Sequence, residues 1–225
     1  ESTAAEDLSR FFSPEVAEHI VHAEEIRVGA GEARNAAILN LDLRGFTTLA
    51  ESCPPDAVMR LLADYQAAMV PIIRRYGGSI DKFLGDGIMA TFGASSARAS
   101  YAADALACVD AIMAAAGEWE ARRVGQDLPV RTVNAAVASG RVLFGAVGEK
   151  DRLEYTVIGD PVNLAAKLEK HNGVLGSRAI ATADTFPAAE RQGYRHTREP
   201  RRVPQARVEG VSQPVDLVVL AADQG

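Results

Sequence analysis

Two aspartates, each followed by a glycine turn, are the residues whose types and spacing could do chemistry. Asp42 closes a short apolar run, Ala36-Ala-Ile-Leu-Asn-Leu41, and is followed by a turn at Gly45. Such a run has the character of a buried strand. A carboxylate delivered at its end needs a partner, because an unpaired buried charge is costly. Asp86 lies between Gly85 and Gly87 within residues 78–93, where apolar and β-prone residues flank the glycines. That pattern predicts strand, tight turn, strand. Taken alone, the turn is an ordinary strand connection; beside Asp42 it acquires a second meaning. Two carboxylates brought together repel unless a divalent cation holds them, and hard oxygen ligands suit Mg²⁺ or Mn²⁺. Two Asp with few other ligands would leave coordination positions open for phosphate oxygens, so the chemistry implied is that of a metal–nucleotide site.

The elements that must position these groups follow from the pattern around them. A helix is expected over about 55–76, with Pro54-Pro55 at its entry and Gly77-Gly78 beyond its end. Val58, Leu61, Leu62, Tyr65, Met69, Ile72 and Ile73 recur at helical spacing and are core residues. Pro71 should kink or shorten that helix. With a helix between them, Asp42 and Asp86 should sit on adjacent strands. An Ala-rich helix is expected at about 97–123, followed by a strand over 131–138, a turn and a further strand over 140–148. Tyr155–Ile158 reads as a strand and Asn163 to about His171 as a helix. Strands alternating with long helices indicate an α/β sandwich. Ser13-Pro14-Glu15 starts a helix well, with Val16, Ile20 and Val21 on one face, and residues 29–35 read as a linker. The domain expectation is therefore an arm and linker over 1–33 and one catalytic domain over 34–225.

Composition excludes several classes. The 225 residues are 48% hydrophobic and 24% charged, as in an ordinary globular protein. No run of about 18 apolar residues exists, so no membrane contact is expected of this stretch. A net charge of −6 argues against non-specific nucleic-acid binding. The arginines of 191–207 read as a solvated hairpin surface. Cys53 and Cys108 lack metal-ligand spacing, and the four histidines form no cluster. The chain begins at Glu1, consistent with a piece of a longer protein.

Three stretches together resemble a known family: Asp42-Leu-Arg-Gly-Phe-Thr47, Lys82-Phe-Leu-Gly-Asp86-Gly87 and Tyr155-Thr-Val-Ile-Gly-Asp-Pro-Val-Asn163. They are similar, in this order, to the class III nucleotidyl cyclase catalytic domain of the bacterial adenylate cyclase type, over roughly residues 34–221. The resemblance implies a largely antiparallel sheet with a βαββαβ core and helices packed on it, of the ferredoxin-like or palm type. It implies cyclisation of ATP to 3′,5′-cyclic AMP and pyrophosphate, by in-line attack of the ribose 3′-oxygen on the α-phosphorus with two divalent cations. Asp42 and Asp86 would be the metal ligands, and Leu43, Arg44, Gly45, Phe46 and Thr47 would offer backbone amides and a hydroxyl to the triphosphate. Arg141 matches the phosphate-contacting arginine and Asn163 the asparagine that orients the ribose. Lys82 and Thr156 occupy the base-reading positions; a donor at the first suits adenine N1, whereas guanine N1–H wants an acceptor. Lys167 stands where the family usually has arginine, keeping the charge but losing the planar fork. Glu209 and Val211 stand where many relatives carry lysines.

The family site forms between two subunits, so a head-to-tail homodimer is expected. One protomer would give Asp42, Asp86 and Arg141, the other Lys82, Thr156, Asn163 and Lys167. An upstream sensor or regulatory domain and a cytoplasmic location, with membrane attachment through other segments, accompany that expectation. Two alternatives stand beside it: a guanylate cyclase, opposed by Lys82 and Thr156, and a regulatory nucleotide-binding module with weak or no activity, favoured by Lys167 and the missing lysines.

Overall fold

The computed structural model describes Val16 and residues 31–149, 151–196 and 198–223. The arm expected from Ser13 onward lies outside these, apart from Val16, which is helical and buried. Among the described residues, eight strands and five helices follow one another. They are β1 (Gly31–Leu43), α1 (Phe46–Ser52), α2 (Pro55–Arg75), β2 (Ser79–Leu84), β3 (Gly87–Phe92) and α3 (Tyr101–Gly125). Next come β4 (Val133–Glu149), β5 (Arg152–Ile158), α4 (Asp160–Leu175), β6 (Ser177–Thr182), α5 (Thr185–Arg191), β7 (Arg201–Ala206) and β8 (Val215–Ala222).

The strands make one sheet in the order β2-β3-β1-β4-β6-β8-β7, with β5 pairing β4 beside this path. Only the β4–β6 pairing is parallel among the described pairs; the others are antiparallel. β1, α1–α2, β2, β3, α3 and β4 compose the βαββαβ core, an α/β architecture with a largely antiparallel sheet.

Strand alternation decides which helices lie on which face. Ala37, Leu39, Leu41 and Leu43 of β1 join the large core with Leu61, Tyr65, Met69 and Ile73 of α2 and Leu106, Ile112 and Trp119 of α3. Asp64 of α2 ties the two helices together, accepting from Trp119 Nε1 at 3.0 Å and Arg123 Nη1 at 2.6 Å. The intervening residues Ala36 and Ile38 face the other way, against Ala138, Val142 and Ala165 of α4. Leu168 of α4 continues that layer over Ala136 and Ile180.

Three sequence expectations change. β1 starts at Gly31 and pairs with β4 out to Gly145, so residues 31–35 belong to the sheet rather than to a linker. α2 runs through Pro71 to Arg75 instead of stopping; Pro71 and Ala67 are both exposed, so the carbonyl that loses its donor can bond water. The turn expected near Gly140 is absent, because residues 133–149 form one strand. Gly140 keeps its purpose there: its φ is +151°, and a Cβ would meet Pro161 Cγ, at the start of α4, at 3.2 Å. The arginine-rich stretch keeps its surface character: Arg201 and Arg202 are exposed on β7 (Arg201–Ala206), the edge strand of an antiparallel hairpin with β8.

Candidate active site

The face carrying α4 opens at the carboxyl end of β1 into a cleft of about 810 Å³. Asp42, Asp86, Lys82, Asn163 and Lys167 all border it. Asp42 gets there by parity: Leu41 and Leu43 turn into the core, so Asp42 turns toward α4. Asp86 arrives from the two-residue turn between β2 and β3. The β1–β3 register ends at Leu41↔Ile88, so the hairpin tip lies just past the end of the paired ladder. The Leu43 amide, having no β3 partner left, donates to Asp86 Oδ2 at 2.9 Å and pins that carboxylate beside Asp42.

The electrostatics are those of two acids held together. Burial, and then the neighbouring Asp86 charge, push Asp42 up to about 6, against the lowering influence of a hydrogen bond from Asn134 and of Lys170 and Arg44. Asp42 Oδ1 is buried and accepts no hydrogen bond. A buried carboxylate oxygen without a donor fits a hard divalent cation, and two aspartates supply the hard oxygens it prefers. Among the described residues no group of three or more His, Cys, Asp or Glu gathers at metal-binding distance, so the protein's share would be these two carboxylates.

Helix α4 places the remaining polar groups. Asn163 is exposed in its first turn, and Lys167 follows one turn later on the same side. Lys167 Nζ donates to the Gly210 carbonyl at 2.6 Å, in the loop between β7 and β8. Gly210 has φ +81°, a left-handed conformation that favours glycine, and a Cβ there would come within 3.3 Å of Lys167 Cε. Glu209 also borders the cleft, whereas Val211 packs into the apolar layer beneath α4. Lys82, exposed on β2, lies 3.4 Å from Asp81.

Not every candidate comes to this cleft. Arg141, exposed on β4, and Thr156, half-buried on β5, do not border it. In the 43–47 turn, Leu43 spends its amide on Asp86 and Arg44 donates its own to the Thr132 carbonyl at 2.9 Å. The Arg44 guanidinium is likewise committed, to Asn134, Ser177 and Asp223. Donors for a phosphate in this turn therefore begin at Gly45, Phe46 and Thr47, where the first turn of α1 has amides its own helix cannot satisfy. Sequence reasoning missed Glu169 of α4, which borders the cleft. Burial, then the charges of Asp42 and Asp86, push Glu169 up to about 8. It missed Asn134 as well. Neither carries a local signal; only the pairing of β1 with β4 and the docking of α4 bring them in.

The family model of the adenylate and guanylate cyclase catalytic domain matches residues 28–207. The chain belongs to the class III nucleotidyl cyclase family. An adenylate cyclase of Anabaena cylindrica is 37% identical over 160 residues, 71% of this chain and 32% of that protein. The crystal structure of the guanylyl cyclase Cya2 is 31% identical with a TM-score of 0.73, covering 86% of this chain and 95% of that one. The adenylyl cyclase CyaB from P. aeruginosa is 27% identical with a TM-score of 0.74, covering 87% and 97%. This chain spans about a third of the length of the curated relatives it matches. The family acts on nucleotides, typically as dimers, and generally uses divalent metal ions. No helix among the described residues is long and apolar enough to cross a membrane.

Proposed function

We propose that this cyclase domain is an adenylate cyclase, forming 3′,5′-cyclic AMP and pyrophosphate from ATP. The observation that carries the reading is the pair of carboxylates, Asp42 and Asp86, held side by side with one buried oxygen lacking a donor, in an open cleft. Asp42 and Asp86 would hold Mg²⁺ or Mn²⁺; bound there, two such ions lower the pKa of the 3′-hydroxyl and neutralise phosphate charge. In the reaction the O3′–Pα bond forms, the bond from Pα to the bridging oxygen breaks, and pyrophosphate leaves. The protein need supply no covalent nucleophile, so positioning and charge are its contribution.

The amides of residues 45–47 would cradle the triphosphate. Asn163 would orient the ribose, and the Lys167 ammonium would face the charge developing on the transferred phosphoryl group. Lys82 and the Thr156 hydroxyl would read the adenine edge, the lysine donating to N1 and the threonine accepting from the amino group. Arg141 would contact phosphate. Arg141 and Thr156 lie outside the cleft of a single chain, so the site would need two: Asp42, Asp86 and Arg141 from one protomer and Lys82, Thr156, Asn163 and Lys167 from its partner, in a head-to-tail homodimer with two equivalent sites. The apolar Phe83 and Leu84 at the hairpin tip, exposed at 47% and 69%, suit burial in such a contact.

A regulatory module of low turnover is the second reading, favoured by Glu209, an acid bordering the cleft where triphosphate would lie. Turnover of ATP and GTP side by side, in Mn²⁺ and in Mg²⁺ and across protein concentration, tests both. Cyclic AMP from ATP alone, with specific activity rising as protein is concentrated, is expected. Cyclic GMP would overturn the roles of Lys82 and Thr156. No product from a demonstrated dimer would favour the module. Mixing Asp42→Ala with Asn163→Ala chains should restore activity at one site per heterodimer; no recovery despite subunit exchange would sink the shared site.

A further inference from the structure

The Arg44 side chain sits in the most nucleotide-like motif of the sequence, yet its guanidinium is directed to the protein's own frame. Nη1 donates to Asp223 Oδ2 at 2.8 Å, and Nη2 donates to the Ser177 carbonyl and, at 2.9 Å, to Asn134 Oδ1. These acceptors come from just beyond the end of β8, from the start of β6 and from β4, so the guanidinium is fixed by three separate parts of the sheet. Asn134 is 3% exposed and stands directly opposite Asp42 in the β1–β4 register. Cross-strand partners place their side chains on the same face, about 5 Å apart at Cβ.

The chemistry of the two groups sets the orientation of the amide between them. A guanidinium only donates, so the Asn134 oxygen must face Arg44. Its NH₂ then turns the other way, toward Asp42 across the strand pair, where it helps to lower the Asp42 pKa. On that carboxylate Oδ1 is buried and has no donor. We infer that Arg44 and Asn134 are positioning residues, a relay from the strand ends to Asp42 that presents its free oxygen to a divalent cation. The inference rests on the cyclase reading, since it needs Asp42 to be a metal ligand. Groups that orient a ligand from behind typically change metal affinity by about 10- to 100-fold when removed.

The test is Mn²⁺ binding to the purified protein without nucleotide, read from the electron paramagnetic resonance of free Mn²⁺. It is paired with the Mn²⁺ concentration that half-saturates ATP turnover. Asn134→Leu and Arg44→Met should each weaken Mn²⁺ binding about tenfold. The double variant should lose little more than either single one, because both cut the same chain. Turnover at saturating Mn²⁺ should largely recover, which general loosening of the fold would not allow. Asp223→Asn removes only the outermost charge and should weaken binding by a smaller factor; it carries the test if the buried variants fail to fold. Unchanged Mn²⁺ affinity in folded Asn134→Leu, or in Asp223→Asn where the buried variants do not fold, would overturn the relay. So would losses that multiply in the double variant. Asp42→Asn separates this failure from the larger one: if that change leaves Mn²⁺ binding intact, the metal site itself is elsewhere.

Discussion

The two faces of the sheet use the same strands to opposite ends. On one, α2 and α3 cover β1 with residues such as Leu39, Leu61, Tyr65 and Ile73, all fully buried. On the other, the same β1 offers Asp42 to an open cleft, beside Asp86 and under a helix that carries Asn163, Lys167 and Glu169. The first face gains stability from every apolar group it removes from water. The second holds acids close enough that Asp86 helps raise the pKa of Asp42, and both raise that of Glu169, a cost borne by the rest of the fold. A functional face of this kind is a local violation of the rules its neighbour obeys.

One substitution on each face should break the molecule in different ways, and this is the largest effect expected. Asp86→Ala should cut turnover by on the order of 10²–10³ or more. Its melting temperature should stay near that of the parent, because the lost Leu43 hydrogen bond, worth about 1 kcal/mol, is offset by relief of repulsion with Asp42. Leu39→Ala should do the reverse, losing about 2–5 kcal/mol of stability with turnover intact in the molecules that remain folded. Melting curves and turnover on both variants check the pair; a large stability loss in Asp86→Ala would erase the contrast.

A smaller effect should appear at the edge of the open face. Lys82→Glu exchanges a donor for an acceptor at the proposed base position. It should shift the ratio of ATP to GTP turnover toward GTP by roughly 10- to 100-fold, the worth of about 1–3 kcal/mol for a mispaired polar group. An unchanged ratio would remove Lys82 from base reading.

The smallest effect is on stability against pH in metal-free protein. Glu169 titrates near 8 when folded and near its ordinary 4.5 when unfolded, so between those values the folded state binds the extra proton. Its contribution is favourable at low pH and is lost as pH rises through that window. Glu169→Gln should flatten the decline in stability between about pH 5 and 8, measured by denaturant unfolding in chelator. An identical slope in both proteins would show that Glu169 is not held protonated by the cleft.

Much of this was legible in the chain itself. Residues 79–92 show strand, turn and strand, and the amphipathic period of 55–75 marks the helix that covers them, because such patterns are set by neighbours in sequence. The order of three short motifs was enough to indicate the family. The continuity of β4 was hidden, since Gly140 reads as a turn until Pro161 is seen packing over it. The motif suggests an Arg44 amide for the triphosphate, whereas that amide is bonded to the Thr132 carbonyl and the guanidinium to Asn134, Ser177 and Asp223.

The sequence by itself determined the two long helices α2 and α3, the β2–β3 hairpin and the two carboxylates around which a site could form. Tertiary structure alone decided that Asn134 stands opposite Asp42, that Glu169 comes down beside both aspartates, and that Lys167 meets Gly210. Local periodicity reports which face of a strand or helix a residue occupies. It carries no information about register between strands distant in sequence, and register is what sets which polar groups share a site.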